Sequence, residues 1–465
     1  MNKFKIIIQT IVFIGVLILS YKLRLFNYDK IPLPGQSMDE YSYSWVGLSL
    51  IELGVPVGIS GIDGYKNSDM RYINVDRVFQ ETAKGNPLSV ERPWFDHPPL
   101  MGVVTGGFAY IKGARVFEDT ISAFIRKPMV YLGTISVALV GCFVIINFGF
   151  VTGIVAMLIY GTMPIVVIGS RMIQAENGLI PMTLLTMIFL SSYIKYKKLR
   201  WLWLAGIAAG IGTLFKLSGV TNILMVGIVL LVNKNNNKWQ EIAIFGTVAL
   251  SITSLFFVYG MVYDWETFVS IFNSNSNRFY GIGPVAIYDL MTQVKLTHNK
   301  YLTDFWPLVG WVGYWVLMAK KQKNVGEIIL MVATMSYLVT YIFMGSQSYG
   351  WYVLPFWPLL AMSLAVTFVE LWKNGQMLVV WLWLLVPIGG TIGKLMDINK
   401  FQEYAGIWRY GLALITVVML ISQLKKDQKY LTMFSKVVVI VTFLIAIYLN
   451  TKYLGMFDIN YWYKM

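Results

Sequence analysis

Apolar residues occur along this chain in long unbroken blocks rather than in alternation with polar ones. Blocks of about 20 residues recur from one end to the other, which is typical of helices that cross a membrane. The predicted spans are 6–21, 124–145, 149–169, 178–194, 201–215, 217–233, 240–262, 303–319, 325–344, 350–371, 376–395, 407–423 and 433–450. The pattern therefore predicts an all-α polytopic membrane protein with about 13 transmembrane helices.

Basic residues are concentrated in short segments that follow the even-numbered spans. These segments are KYKKLR (195–200), KNNNK (234–238), KKQK (320–323), Lys373 and KKDQK (425–429). Because short cytoplasmic loops are enriched in Lys and Arg, the pattern places the N-terminus in the cytoplasm and the C-terminus outside. The segments expected on the outer face are 22–123, 170–177, Lys216, 263–302 and 345–349.

The amino-acid composition also indicates a membrane protein, and the net charge and the cysteine count exclude some kinds of partner and bond. Only 13% of the 465 residues are charged, and the mean hydropathy is +0.61. The net charge of +14 is explained by the cytoplasmic loops, so we do not expect a nucleic-acid partner. Lys3 and Lys5 precede the first span as in a signal peptide, but no small-residue cleavage pattern follows, so we expect that span to be retained. A single cysteine, Cys142, excludes a disulfide framework within the chain.

The large first loop contains two helix candidates. GQSMDEYSYSWVGLSLIELG (35–54) and ERPWFDHPPLMGVVTGGFAYIKG (91–113) both mix aromatic, polar and apolar residues. We expect both to be amphipathic helices that lie in the membrane interface.

Two adjacent carboxylates, Asp39 and Glu40, begin the first of these candidates. One interpretation is catalytic: a general base beside a second acid that orients the substrate or tunes the pKa of the base. The other is structural, because acidic residues in a first helical turn complement the helix dipole. The sequence leaves both open.

Further ionisable residues fall on the predicted outer face. His97 lies in FDHPPL (95–100) and is either a substrate or phosphate ligand or a structural residue. Arg171 and Glu176 lie between spans three and four, either as an interfacial ion pair or as a phosphate ligand and an acid facing a reaction site. Lys216 stands alone in an apolar stretch, where it either snorkels to the interface or binds the phosphate of a lipid.

Aromatic residues dominate the segment at the start of span ten. Tyr349, Trp351 and Tyr352 fit either the aromatic belt of the interface or a groove for a lipid headgroup.

Five motifs occur in an order that resembles GT-C-fold glycosyltransferases. They are MDEYSYSWVGLSLIELG (38–54), HPPL (97–100), SRMIQAENGLIPMTLLTMIFLSSYIKYKK (170–198), GIAAGIGTLFKLSGV (206–220) and WYVLPFWPLLAM (351–362). The chain is most similar to the superfamily of dolichyl-phosphate-mannose protein mannosyltransferases and lipid A aminoarabinose transferases. The resemblance covers about residues 1–365, so we expect a catalytic module at 1–371 and additional transmembrane helices at 372–465.

This resemblance implies a sugar donor linked to a polyprenyl phosphate and catalysis on the extracytoplasmic face of the cell membrane. Asp39 matches the proposed base and Glu40 its neighbour. Arg171 and Glu176 match a second polar junction, and Lys216 matches a cation associated with the carrier phosphate.

The sequence departs from the family pattern at two phosphate-binding positions. His97 stands where relatives often have lysine. Gln347 and Ser348 stand where a basic residue often precedes the aromatic motif of span ten.

The implied reaction is an inverting displacement of the carrier phosphate by a hydroxyl of a protein, lipid or glycan. Asp39 removes the acceptor proton, Lys216 and Arg171 offset the charge of the leaving phosphate, and Tyr349 and Tyr352 admit the lipid tail. The transferred sugar is either a hexose or a pentose.

Asp39, Glu40 and Glu176 are oxygen ligands of the kind that could form a Mg²⁺ or Mn²⁺ site. Because no D-x-D motif accompanies the acids and the resembled branch generally needs no metal, we favour a reaction without a metal or another cofactor.

Two other classes of protein are compatible with the pattern. A transporter or flippase for lipid-linked or small solutes is expected to carry polar groups in broken helices at the membrane centre, with internal repeats, and neither is found. In a non-catalytic envelope scaffold, the acid pair is dispensable.

Overall fold

The computed structural model describes residues 3–37, 39–76, 88–233, 236–277, 284–297, 299–344, 349–425 and 428–464. The helices are α1 (Lys3–Leu25), α2 (Asp39–Leu53), α3 (Leu100–Ile111), α4 (Ser122–Ile125), α5 (Lys127–Phe148), α6 (Phe150–Thr162), α7 (Pro164–Gly169), α8 (Ala175–Tyr196), α9 (Leu199–Phe215), α10 (Val220–Val232), α11 (Lys238–Thr253), α12 (Leu255–Tyr263), α13 (Trp265–Ser276), α14 (Pro284–Thr292), α15 (Trp306–Ala319), α16 (Val325–Met344), α17 (Phe356–Lys373), α18 (Met377–Leu395), α19 (Ile398–Glu403), α20 (Ala405–Leu424), α21 (Lys429–Gly455) and α22 (Ile459–Lys464). Short 3-10 helices lie at Phe117–Asp119, Leu217–Gly219 and Gly350–Val353.

The predicted polytopic α-helical architecture is confirmed. Within the described ranges, nine helical segments are long and apolar enough to cross a bilayer. The other four predicted spans fall on the shorter apolar helices Phe150–Thr162, Leu199–Phe215, Leu217–Val232 and Trp306–Ala319. The total number of crossings stays a prediction.

The end of the first helix lies beside the end of α21. Asn27, just after α1, donates its Nδ2 hydrogen to the carbonyl of Phe457, just after α21, over 3.2 Å. Lys300 donates to the carbonyl of Trp462 over 3.0 Å. These bonds hold residues 457–462 against the link after α1 and against the segment before α15.

The first loop contains a small antiparallel sheet that the all-helical prediction missed. Its strands are β1 (Gly58–Ile59), β2 (Ser68–Arg71) and β3 (Leu88–Glu91), in the order β1-β3-β2. Glu91 of β3 faces Gly58 of β1 and Ser68 of β2. Strands of two to four residues are too short to show a readable alternation of polar and apolar positions.

Both helix candidates in the first loop are helices, but they differ in how they are buried. In α3 the buried residues form one face, with Met101, Thr105 and Ala109 in line. In α2 every residue from 40 to 49 is buried. The expectation of an interfacial helix is therefore wrong for α2, which is enclosed by the rest of the protein.

Glycines bring the backbones of α2 and α3 into direct contact. A Cβ atom at Gly47 would lie 1.8 Å from the carbonyl oxygen of Gly102, and one at Gly106 would lie 2.3 Å from that of Ser44. Only residues without a side chain allow this approach. The crossing fixes the orientation of α2, and hence of Asp39 at its first turn.

We expect Gly106→Ala to destabilise the protein by about 1–3 kcal/mol, because the new methyl group overlaps the backbone of α2. Gly107→Ala is the matched control on the same helix, since its Cβ would meet only Ile51 Cδ1, at 3.6 Å. Thermal unfolding of both variants in detergent measures the difference. Equal unfolding temperatures would contradict the close crossing.

Candidate active site

A cleft opens between the first loop and the transmembrane helices. It encloses about 900 Å³, including its open mouth. Its walls come from five parts of the chain. They are residues 95–97 of the first loop, the 3-10 turn after α9, the α12–α13 hairpin, α16 and the segment before α17. The lining residues are Phe95, Asp96, His97, Lys216, Leu217, Ser218, Phe256, Phe272, Asn275, Ser276, Tyr337, Thr340, Tyr341 and Tyr352.

Lys216 and Glu176 form a buried ion pair at the wall of this cleft. Lys216 ends α9 in an extended conformation, and Glu176 lies in the first turn of α8, where a negative charge complements the helix dipole. The two side chains are 9% and 1% exposed. The Lys216 ammonium also lies 3.8 Å from the centroid of the Tyr352 ring. The cation is thus held between a carboxylate and an aromatic face.

One oxygen of Glu176 remains without a protein partner. Lys216 donates to Oε1, whereas Oε2 is buried and has no hydrogen-bond partner among the residues that the structure describes. An ammonium group has three N–H donors, and Glu176 uses one of them. The pair therefore keeps hydrogen-bonding capacity for a ligand in the cleft.

Tyr43 lies in α2, one turn after Asp39, and the charges of both Asp39 and Glu176 act on its hydroxyl group. Burial raises the pKa of the Tyr43 hydroxyl well above its usual range, and the charges of Asp39, Glu176 and Asp96 raise it further. The ring of Tyr43 stacks on His97, which lines the cleft. Asp39 itself is partly buried. Asp39 is thus one helical turn from a residue that contacts the cleft wall, and Glu176 belongs to that wall through its ion pair with Lys216.

Glu40 forms a buried ion pair with Arg126. Its two oxygens accept hydrogen bonds from Nε and Nη2 of Arg126, and the Nη2 contact measures 2.8 Å. Both side chains are almost completely buried, at 2% and 0% exposed. Arg126 also donates to the carbonyls of Tyr28, Pro32 and Leu33. The pair fastens α2 to the link after α1 and to the beginning of α5.

His97 lies in the cleft wall beside aromatic rings. Its imidazole stacks on Tyr43 with 5.7 Å between ring centroids and meets Trp94 edge-on at 6.1 Å. The preceding Asp96 accepts hydrogen bonds from Ser60 (2.8 Å) and Tyr65 (2.6 Å). The prediction that His97 binds substrate is untested, and its place in the cleft is compatible with it.

Arg171 lies away from the cleft, contrary to its predicted contact with phosphate. It is completely buried and donates to the carbonyls of Leu23 (2.8 Å) and Ile31 (3.3 Å). These bonds fix the backbone that follows α1. The expectation of an ion pair with Glu176 also fails in the structure, because Glu176 pairs with Lys216.

The two aromatic candidates before α17 are in different places. Tyr352 lines the cleft and accepts a hydrogen bond from Tyr337 through its carbonyl, over 3.1 Å. Tyr349 stacks on Trp351 with 4.8 Å between centroids, beside the cleft rather than among its lining residues. Gln347 and Ser348 lie outside the described residues.

Sequence reasoning missed several residues of this site. Arg126 and Lys127 are adjacent basic residues after a short apolar segment, a pattern that is typical of the boundary of a membrane span. Asn275, Tyr337 and Tyr341 come from segments remote in the sequence from the recognised motifs, so no local signal marks them. Tyr43 lies within a recognised motif, but its role as a junction depends on tertiary contacts.

The candidate acids do not gather as metal ligands in the part of the chain that is described. No group of three or more His, Cys, Asp or Glu side chains there could hold a metal ion. Glu40 is paired with Arg126, and Glu176 is paired with Lys216. Whether catalysis needs a metal stays a prediction.

Comparisons with known proteins agree on the fold. The family model "Dolichyl-phosphate-mannose-protein mannosyltransferase" matches residues 96–263. No curated protein sequence matches the chain significantly.

Solved structures of three glycosyltransferases resemble the whole chain. ArnT from Cupriavidus metallidurans bound to undecaprenyl phosphate has a TM-score of 0.55 at 14% identity, covering 98% of this chain and 78% of that one. The oligosaccharyltransferase AglB from Archaeoglobus fulgidus, in complex with an inhibitory peptide and a dolichol-phosphate, gives 0.54 at 10% identity and covers 97% and 56%. The arabinosyltransferase EmbB from Mycobacterium smegmatis gives 0.52 at 11% identity and covers 95% and 40%. The chain therefore has the GT-C glycosyltransferase fold, and its residues 96–263 match the protein mannosyltransferase family.

Proposed function

We propose that this protein transfers a sugar from a polyprenyl-phosphate donor to a hydroxyl acceptor on the extracytoplasmic face of the membrane. The observation that carries the proposal is the arrangement around Tyr43. A partly buried acid, Asp39, begins the helix whose Tyr43 stacks on His97 in the cleft wall. The same wall holds a buried cation, Lys216, positioned by Glu176 and Tyr352. The neighbours bound to undecaprenyl phosphate and dolichol-phosphate support a lipid-linked donor.

Asp39 is the general base of the proposed reaction. It accepts the proton of the acceptor hydroxyl as that oxygen bonds to the anomeric carbon of the sugar. The bond from the anomeric carbon to the phosphate oxygen breaks with it, and the configuration inverts. The carrier phosphate leaves as an anion, so no protein group has to protonate it.

Lys216 stabilises the departing phosphate. Its charge is already balanced by Glu176, which lowers the energy of holding a cation in a buried site before the donor binds. The remaining N–H donors then bind the carrier oxygens, and this bond strengthens as negative charge develops. Glu176 acts as a positioning residue for Lys216, which revises its proposed catalytic role.

Glu40 is likewise a positioning residue rather than a second acid in the reaction. Its carboxylate is fully engaged by Arg126 and holds the first turn of α2, where Asp39 begins the helix. His97, Tyr337, Tyr341 and Tyr352 present aromatic surface to the cleft, suited to the apolar face of a sugar ring.

The proposed function is tested with purified protein in vesicles that contain a polyprenyl-phosphate sugar. Mixtures of donors that carry hexoses or pentoses, and of hydroxyl acceptors, are analysed by mass spectrometry for a new glycosidic product. Release of polyprenyl phosphate with glycosylated acceptor is the expected result. Movement of the intact donor between leaflets without a covalent product would indicate a flippase instead.

We expect Lys216→Met to raise the KM for the donor by roughly 10-fold or more, because a hydrogen bond to a charged group contributes about 1.5–3 kcal/mol. The KM for the acceptor should change much less. Steady-state kinetics with each substrate varied in turn measures both values.

Two further variants separate this effect from general damage. Lys112→Met is the matched control, because Lys112 also lies over an aromatic ring, that of Phe108 at 5.6 Å, but is exposed. Glu176→Gln keeps Lys216 while removing its countercharge, so it should lower the donor KM. An unchanged donor KM in both Lys216→Met and Glu176→Gln excludes the assigned role.

A further inference from the structure

The wall of the cleft contains the start of a helix. α9 ends before Lys216, and the 3-10 turn Leu217–Gly219 runs directly into α10. Residues Leu217–Val232 thus form one continuous apolar helix. Lys216 and the two residues that follow it all line the cleft. The amino-terminal end of this helix therefore borders the space in which we expect the donor to bind.

Within the described ranges, the first two backbone donors of this helix have no backbone acceptor. The N–H groups of Leu217 and Ser218 precede the first hydrogen bond of the helix, which runs from Gly219 to the carbonyl of Lys216 over 2.8 Å. Lys216 provides no side-chain cap for them. Two N–H donors of the cleft wall are thus available to a ligand.

The hydroxyl group of Ser218 adds a third polar group at the same end of the helix. Ser218 is only 4% exposed, and its Oγ has no hydrogen-bond partner among the residues that the structure describes. By contrast, Thr221, one turn later, donates to the carbonyl of Ser218 over 2.7 Å. A buried hydroxyl group without a partner is unfavourable, so its presence beside a cleft indicates that a ligand completes its hydrogen bonding.

Close packing holds this end of the helix in place. A Cβ atom at Gly219 would lie 2.5 Å from the carbonyl carbon of Gly212 and 2.6 Å from its oxygen. The turn therefore lies directly against the backbone of α9, as only a residue without a side chain allows. The direction of the donors is thus fixed before a ligand binds, which lowers the entropic cost of binding.

The described lining of the cleft has little positive charge to offer a phosphate. Lys216 is the only lysine or arginine among these lining residues, and Glu176 already balances its charge. Asp96 adds a carboxylate to the lining. The start of a helix carries a partial positive charge of about half a unit, and its N–H groups bind phosphate readily. The Leu217–Val232 helix therefore supplies the positive potential that the side chains lack.

We propose that the phosphate of the polyprenyl donor binds at the start of the Leu217–Val232 helix. Its oxygens accept hydrogen bonds from the N–H groups of Leu217 and Ser218 and from the Ser218 hydroxyl group, and Lys216 adds a charged donor beside them. This inference rests on the proposed function and deepens it. It assigns the donor phosphate to the backbone of one helix and to Ser218, rather than to Lys216 alone.

Binding of undecaprenyl phosphate and of undecaprenol to the full chain in detergent tests the site without turnover. The ratio of the two dissociation constants measures the contribution of the phosphate alone. Ser218→Ala should reduce this contribution roughly 10-fold, because it removes a hydrogen bond to a charged group. Ser254→Ala is the matched control and should leave the ratio unchanged. Ser254 also lies between two consecutive helices, but it is exposed and donates to the carbonyl of Ser251 over 2.8 Å.

A second pair of variants tests the backbone donor. Leu217→Pro removes one N–H group at the first position of the helix, where proline is tolerated. The extended conformation of Lys216, with φ −154° and ψ 139°, suits a residue before proline. Leu217→Ala loses the same side chain but keeps the N–H group. We expect the phosphate contribution to be roughly 10-fold lower in Leu217→Pro than in Leu217→Ala.

These binding measurements separate the site from the enzymatic proposal. A reduced phosphate contribution in Ser218→Ala or Leu217→Pro supports the site, even where no glycosylated product forms in the transfer assay. Unchanged contributions in both variants overturn it and assign the donors to water, and product formation by the wild type would then leave the proposed function intact. If thermal unfolding shows that Leu217→Pro does not fold, Ser218→Ala decides alone.

Discussion

Asp39→Asn should abolish sugar transfer while the protein stays folded. The amide keeps the size of the side chain but does not accept a proton, and a positioned general base contributes about 10²–10⁴-fold to the rate. Turnover of a polyprenyl-phosphate sugar by the purified variant measures the loss. The KM for the donor should change little, because Lys216 rather than Asp39 is assigned to the phosphate.

An exposed acid of the same loop supplies the control for this experiment. Asp63→Asn makes the same chemical change at a residue that lies on the surface, so its rate should match that of the wild type. Unfolding temperatures of both variants exclude loss of structure as the cause. Normal turnover by Asp39→Asn would remove this residue as the base, although the fold assignment would stand.

The sequence predicted those parts of the site that local patterns encode. Apolar blocks located the helices, and the charge of short loops placed Asp39, Glu176 and Lys216 on one face. The acid pair at residues 39–40 also marked the start of a helix, which α2 confirms. These inferences need only the neighbours of each residue in the sequence.

The tertiary structure determines the ion-pair partners of Glu40 and Glu176, which the sequence left open. Glu40 is adjacent to Asp39 in the sequence, yet on a helix neighbouring residues point about 100° apart, so each meets different partners. Nothing local indicated that Glu40 meets Arg126, 86 positions away. In the same way, Glu176 pairs with Lys216 rather than with Arg171, because α8 directs it towards the end of α9.

Burial also changed the meaning of two predicted features. Polar residues in α2 suggested an interfacial helix, but Ser42, Ser44 and Ser49 are enclosed and hydrogen-bonded within the loop. Arg171 suggested a phosphate ligand, but it lies outside the cleft and its two terminal nitrogens donate to backbone carbonyls. Composition alone does not distinguish a polar side chain that faces a ligand from one that satisfies a buried backbone.

Arg126→Met should destabilise the protein more than any substitution in the cleft. It leaves the Glu40 carboxylate buried without its partner, and breaking a buried ion pair from one side costs about 3–5 kcal/mol. It also frees the carbonyls of Pro32 and Leu33, so the link before Asp39 loosens. Glu40→Gln should cost less, because the guanidinium keeps its backbone acceptors. Thermal unfolding and turnover of both variants measure these effects.

Two comparisons separate positioning from catalysis at this pair. Glu266→Gln breaks the exposed ion pair between Glu266 and Lys66. Their side chains are 83% and 48% exposed, respectively, so the substitution should change the free energy of unfolding little. The double variant Glu40→Gln/Arg126→Met should be more stable than Arg126→Met alone, because the unpaired buried charge is gone. If Glu40→Gln instead loses turnover at an unchanged unfolding temperature, Glu40 takes part in the reaction in addition to holding α2 in place.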